Sequence, residues 1–360
     1  MPEPIEVRAP SRRLLPAPFS YLARRVLRLP RIALPRIARR EWVIAPPVRA
    51  TRPRAVFLDG QLDRVTGVQE ETTLEFELAR VLGGEVHHAA TMAYELQDAI
   101  LVDGSVYAGG ERLRLLDGAF APSTLRRPGE DIDRAALACT YVGNRYFGHW
   151  IADDSSLHLL AREHGEPIGA AREAYGQEAG FRQIWGMHTR MVTSARIRSL
   201  MVFQDFAQND GKRRRYDWLR ARVQEGGPEH PVRGVYLRRG SSGVKRVLTN
   251  DDEVEARLAR RGFRTIDPTA LPVEEVVKAC AGTSCAVSVE GSQLAHGLMN
   301  VAAGGALIAL QPPGRFNNVY KDRADCAGLR YGFVVGTPAG DGFRVDADEV
   351  ERTLDLAGIA

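Results

Sequence analysis

Cysteine is scarce in this chain of 360 residues: there are four, Cys139, Cys280, Cys285 and Cys326, and no two form a CxxC pair. That excludes a disulfide-stapled scaffold and a zinc ribbon, and it reads as reduced thiols in the core of a cytoplasmic protein. Long apolar runs are missing as well; none reaches the ~18 residues that a membrane-spanning helix needs, and the opening residues lack the apolar stretch of a secretory signal. The spacings HExxH, GxSxG, GxGxxG and GxxxxGK[ST] are all absent. A zincin, a serine hydrolase, a dinucleotide dehydrogenase and a P-loop NTPase are thereby disfavoured. Lysine does not occur at all in residues 1–54, although arginine is abundant there.

What is present begins with that arginine. Residues 1–54 hold thirteen arginines against three acids, a net +10, so the rest of the chain carries −6 of the overall +4. A mildly acidic body excludes nucleic acid as its partner and points any attraction to anionic surfaces at the head. Ten of the twenty prolines also fall in residues 1–54 and interrupt any long helix there. The stretch SYLARRVLRLPRIALPRIARREW mixes aliphatic residues with arginine. It reads either as an extension wrapped on the body or as a segment that lies on an anionic membrane face.

From residue 55 the pattern becomes that of a folded α/β chain. RAVFLDG reads as a strand opening an α/β unit. AILVDGSVYAGGERLRLLDGAF reads as hairpins turning at Asp103-Gly104 and Gly109-Gly110. Tyr141 to Gly143 reads as a strand end, and Phe147 to Glu163 as a helix. RIRSLMVFQD is a strand and GKRRRYDWLRARVQ a helix. From Arg233 onward short apolar strands alternate with helices, one of them NDDEVEARLARRG with an N-cap at Asn250 or Asp251 and a stop at Gly262. Such alternation predicts a parallel sheet with helices on both faces. Ligands of such sheets bind beyond the carboxyl ends of the strands. That directs attention to residues 238–250, 267–269, 290–293 and 311–317.

Three segments carry chemistry. LRRGSSGVKRVLTN sets Arg238, Arg239, Lys245 and Arg246 around small residues; it suits a pyrophosphate or is a solvated basic hairpin. VSVEGSQLAHGLMN places Glu290, Gly291, Ser292 and Gln293 at a helix start, with His296 one turn further on. Glu290 repels phosphate, so hydroxyl groups are its better ligands. In GNRYFGHWIADD, His149 and Asp153 share a helical face, where either can act as a general base. The competing reading has Asp153 and Asp154 cap or solvate the first turn.

Together these segments resemble glycosyltransferase family 61 over roughly residues 140–335. Asn144, His149, Trp150 and Asp153 are similar to that family's NxxHWxxD-like segment, with one extra residue before the histidine. Arg239, Arg246 and Asn250 match a later segment, with Asp251 in place of a glutamate. The family's HGAGLTN segment appears as EGSQLAH: Gly291 and Leu294 are kept, Glu290 replaces the histidine and His296 the asparagine.

The resemblance implies a GT-B-like fold: two Rossmann-type α/β domains facing across a cleft, here behind a basic Pro/Arg-rich extension. The expected divisions are 1–54 for the extension, 55–210 for the acceptor side, 211–340 for the nucleotide-sugar side and 341–360 for a terminal helix. It implies an inverting, metal-independent transferase with no cofactor, moving a sugar from a donor, UDP-linked by resemblance, to a glycan or lipid-linked glycan. Capsule, lipopolysaccharide or exopolysaccharide assembly is the setting. Arg239, Lys245, Arg246, Asn250, Glu290, Gly291, Ser292, Gln293 and His296 are expected on the donor, and Asn144 and Trp150 on the acceptor side. Asp153 is the expected base, with His149 as its orienter or rival. The chain is expected in the cytoplasm, with a peripheral contact to the inner membrane face through residues 1–54. The pairs Asp131/Asp133 and Asp346/Asp348 have the DxD form that holds a metal in some glycosyltransferases, but each precedes a helical pattern and reads as capping. The alternative is a catalytically altered nucleotide-sugar-binding or membrane-associated scaffold protein of the same fold.

Overall fold

The computed structural model describes residues 5–6, 17–125, 128–225, 232–239 and 246–359, and Lys245 lies outside them. The chain forms two compact units: residues 1–48, 88–175 and 186–207 make the first, and residues 49–87, 176–185 and 208–360 the second.

The first unit opens with α1 (Ala17–Val26), followed by the short helix Leu34–Ile37 and β1 (Arg40–Ala45). Next come β2 (Thr91–Val102), β3 (Ser105–Ala108), β4 (Glu111–Arg114) and β5 (Glu130–Leu137). Helix α2 (Tyr141–Arg145) leads into a helical stretch made of Phe147–His149, a wider π-helical turn Trp150–Asp154, and Ser155–Ala161. Strands β6 (Glu166–Ala170), β7 (Arg190–Val192) and β8 (Ser194–Gln204) complete it.

Its sheet runs Ile5–Glu6, β1, β2, β8, β5, β6, β7, with β3 on β2 and β4 on β3. This sheet is mixed. β2 pairs antiparallel with β1, β3 and β8, whereas β8, β5, β6 and β7 are parallel. The Rossmann-type expectation for the N-terminal domain is corrected here, and the cause is local. Asp103 and Gly104 both have positive φ, as do Gly109 and Gly110. Two-residue turns of that kind join neighbouring antiparallel strands and leave no room for a crossover helix.

The second unit contains α3 (Asp210–Gln224), β9 (Gly234–Leu237), α4 (Asp251–Arg260), β10 (Phe263–Ile266) and α5 (Val273–Cys280). It continues with β11 (Cys285–Val289), α6 (Leu294–Asn300), β12 (Ala306–Gln311), α7 (Val319–Cys326), β13 (Arg330–Val335) and α8 (Ala347–Leu356). All five strands are parallel, in the order β10-β9-β11-β12-β13. β11 and β12 are buried at every residue. That explains their unbroken apolar sequences, since a parallel strand is covered on both faces. The strand order reverses between β9 and β11, so the crevice for a ligand opens beyond their carboxyl ends.

Several boundaries differ from the sequence expectation. Residues 49–87 cluster with the second unit. Val56 N–H donates to Tyr331 O, Phe333 N–H donates to Val56 O, and Phe57 stacks on Phe333 at 4.7 Å. RAVFLDG therefore extends the edge at β13 and does not open an N-terminal domain. Helix α8 belongs to the same unit, with Val350 and Leu354 in its core. Residues 17–48 cluster with the first unit, where α1 packs Ala17 and Tyr21 against Ile100, Val102 and Tyr107. Tyr141 to Gly143 begins a helix, capped by Thr140, whose Oγ1 accepts from Gly143 N–H. Asp131 and Asp133 flank buried Ile132 within β5, so they share one exposed face of that strand and cap nothing. Asp346 does cap α8, accepting from Asp348 N–H. The four cysteines are buried free thiols. Among the described residues no helix is long and apolar enough to cross a membrane.

Candidate functional site

Beyond β9, β11 and β12, three arginines meet around one carboxylate. Arg246 Nη1 lies 2.6 Å from the carbonyl oxygen of Glu290 and 3.1 Å from its Oε2. Arg315 Nη1 reaches the same Oε2 at 3.2 Å, and Asn317 Nδ2 donates to Oε1 at 3.0 Å. Arg239 Nη1 donates to Glu290 O at 3.3 Å and to Gln293 Oε1 at 3.1 Å. The side chains come from three strand ends, with Arg239 and Arg246 after β9, Glu290 and Gln293 after β11, and Arg315 and Asn317 after β12, which is the arrangement that the parallel sheet makes available.

Gly291 makes this convergence possible. Its φ is +147°, and a Cβ there would sit 2.1 Å from Arg239 Nη1 and 2.7 Å from Arg246 Nη1. Any side chain would displace both guanidiniums.

The electrostatics are unbalanced. Among the described residues, three guanidiniums face one carboxylate, a net +2 in a largely buried cluster. Burial, followed by the repulsion of Arg246, pushes Arg239 down to about 10. Burial also raises Glu290 above the ordinary carboxylate range, against the pull of Arg246, Arg315 and Arg239. An anion there would offset the repulsion that lowers Arg239, while pushing Glu290 further up. Helix α6 has only seven residues, so the guanidiniums outweigh its dipole as the source of positive potential.

The structure redistributes several expected roles. Glu290 engages both oxygens with Arg246, Arg315 and Asn317, so it organises the arginines. Gln293 orients Arg239, while Ser292 is half-buried in the turn before α6. His296 is buried against Phe181 at 5.7 Å between ring centroids. Burial pushes it down to about 4, so its ring is neutral near pH 7. Asn250 exchanges bonds with the backbone of Val345 and donates to Glu253. It ties α4 to the chain before α8.

Arg315 and Asn317 were not singled out by sequence. The signal available was the position of their loop directly after the apolar run ALIALQ. Asn317 is held in turn by Gln311, whose Nε2 donates to Asn317 O at 2.8 Å. Beyond it, Glu77 Oε2 accepts from Asn318 N–H at 2.7 Å.

In the first unit, His149 Nδ1, just before the π-helical turn, lies 2.8 Å from Asp153 Oδ2 within it, and both residues are half-buried. A carboxylate only accepts, so Nδ1–H donates and the ring lone pair falls on Nε2. The turn widens because Ser155 N–H bonds back to Trp150 O, five residues earlier, and such turns recur at functional sites. Asp154 points inward and accepts from Thr140 N–H and Thr140 Oγ1. Trp150 is buried and stacked with Phe147, and Asn144 is engaged by Leu115 O and Arg172. Both support the turn that carries His149 and Asp153.

Asp154 has a measurable consequence. Burial raises its carboxyl from 3.8 to about 8, against the opposing bonds from Thr140. A raised acid binds its proton more tightly in the folded state. Its contribution to stability is full below pH 3.8, declines as pH rises toward 8, and is flat above. The slope within that window reaches about 1.4 kcal/mol per pH unit. Asp154→Asn keeps an acceptor for Thr140, so denaturant unfolding across the window is expected to show the slope removed. An unchanged slope rejects this origin.

The model of the family Glycosyltransferase 61 matches residues 147–308, a stretch that begins at the His149 turn and ends within β12. No curated protein sequence matches the chain. The protein is a glycosyltransferase, an enzyme that takes a sugar from a donor and passes it to an acceptor. Within that class, residues 147–308 are similar to family 61.

Proposed function

We propose that the protein is an inverting, metal-independent transferase whose donor is a nucleotide sugar, UDP-linked, and whose acceptor is a glycan. The observation that carries this reading is the convergence of Arg239, Arg246 and Arg315 around Glu290 at the strand-order reversal. A diphosphate leaving group gains negative charge as the glycosidic bond lengthens. Preorganised guanidiniums stabilise that charge, each such donor being worth about 3 kcal/mol. Lys245, by its place in the sequence, is a further candidate for the same phosphates.

On the acceptor side, His149 takes the hydroxyl proton through Nε2 while Asp153 holds the ring through Nδ1. The acceptor oxygen forms its bond to the anomeric carbon as the bond to the diphosphate breaks, and a single displacement inverts that centre. The bond pair leaves on the phosphate oxygen. The GT-B arrangement, with both groups acting on one reacting bond, is part of this proposal.

A thermal-shift screen against UDP-, GDP-, CMP- and dTDP-sugars tests it. A ligand at ~100 times its Kd adds about 2.7 kcal/mol to the folded state, so a UDP-sugar is expected to raise Tm by several degrees, with a chelator present or absent. A chain that no nucleotide sugar stabilises would sink the proposal.

A further inference from the structure

The transfer reaction does not account for the outward face of α1. Its inward face is anchored: Tyr21 sits edge-on to Tyr107 at 5.4 Å and beside Phe120 at 5.9 Å. Phe19, Ala23 and Val26 follow at i, i+4 and i+7 on another face, and all are exposed. At the helix end the apolar exposure increases, with Val26 72%, Leu27 68% and Leu29 47% accessible. Single exposed aliphatics are ordinary, but a contiguous run of this kind marks an interaction surface.

The turn that presents them is ordered by specific bonds. Leu29 N–H returns to Arg24 O and Arg28 N–H to Arg25 O, with Arg28 at φ +51°. That is a Schellman-type stop with arginine where glycine is usual. Arg24 donates to Pro30 O at 2.5 Å, and Glu111 on β4 accepts from Ile32 N–H at 2.8 Å. The tip is thus pinned to the sheet and its aliphatic side chains are held outward. Residues 17–40 contain seven arginines and no acid. Arg25, Arg28 and Arg31, which flank the aliphatics, are all exposed.

We infer that this tip docks the protein on an anionic lipid bilayer, with Val26, Leu27 and Leu29 entering the headgroup boundary and the flanking arginines pairing with lipid phosphates. Charge complementarity decides the occupant. An apolar tip alone would suit a protein groove, whereas a tip flanked by exposed arginines, on a segment with no acid of its own and with Glu111 of β4 occupied by Ile32 N–H and Arg24, matches the interfacial pattern of aliphatic and arginine side chains on one short segment. The inference is independent of the donor reading, because α1 shares no residue with the Glu290 cluster.

Vesicle flotation tests it, with the full chain and vesicles of phosphatidylcholine and phosphatidylglycerol in equal parts. The protein is expected to float with these vesicles, to stay behind with phosphatidylcholine alone, and to detach as salt shortens the screening length from ~10 Å to ~3 Å. Leu27→Ser is expected to lower partitioning roughly tenfold or more. Arg25→Gln with Arg28→Gln is expected to abolish the preference for the anionic lipid while leaving circular dichroism unchanged. Equal binding to both vesicle types, flotation indifferent to Leu27→Ser, or self-association through the tip in light scattering would each overturn it.

Discussion

Replacing Arg246 with alanine is expected to cost about 3 kcal/mol of folding stability and to weaken nucleoside diphosphate binding ten- to hundredfold. The two effects have separate causes. Arg246 and Glu290 are both nearly buried, and Arg246 bonds the backbone oxygen and the carboxylate of Glu290. Removing one member of a buried pair strands the other's charge, at a cost of roughly 3–5 kcal/mol. Arg315 and Asn317 still hold Glu290, which places the expectation at the lower end. The binding loss follows from deleting one of three guanidiniums, since a hydrogen bond to a charged group contributes about 1.5–3 kcal/mol.

A second substitution separates the causes. Adding Glu290→Gln to Arg246→Ala removes the stranded charge, so stability is expected to recover while binding stays weak. Glu290→Gln alone raises the cluster from +2 to +3 and is expected to bind UDP more tightly than the parent. Denaturant unfolding and calorimetric titration with UDP measure both quantities. Native stability with unaltered affinity in Arg246→Ala would remove Arg246 from the donor site.

The parallel sheet was legible in the sequence because its signals are local. GVYL, FRTI, CAVSV, ALIALQ and RYGFVV are short apolar runs, and the segments between them carry helix starts and stops such as Asn250 and Gly262. The errors arose where the partner is distant in the chain. Val56 pairs with Gly332, and nothing around residue 56 announces that bridge, so RAVFLDG was assigned to the wrong unit. The antiparallel pairing of β8 with β2 is equally non-local. At Asp131 and Asp133 the failure was one of period: two exposed acids around buried Ile132 alternate as a strand does, and a following helical pattern drew the capping reading. The site was half legible. Arg239, Arg246 and Gly291 follow apolar strands, and strand ends are where ligands gather. The partners of the Glu290 carboxylate were not legible, because Arg315 and Asn317 come from the next strand's loop.

The largest kinetic effect is expected at Asp153. Its carboxylate fixes the His149 tautomer by accepting from Nδ1 at 2.8 Å. An asparagine there can donate from its amide instead, which favours the opposite tautomer and moves the ring proton to Nε2, where the base is needed. Asp153→Asn is therefore expected to lower kcat by roughly 10²–10⁴-fold, the range of a positioned general base. Donor affinity, assigned to the arginines, should stay near the parent value. His149→Gln is expected to fall as far, and the double variant little further, because groups acting as one unit are not additive. Asp154→Asn is the internal control. It lies next in the chain, but its carboxyl serves Thr140, so its kcat should remain close to normal. If His149→Gln kept most of its turnover while Asp153→Asn lost it, the proton would pass to Asp153 directly and the imidazole would be reduced to a neighbour that orients the acid.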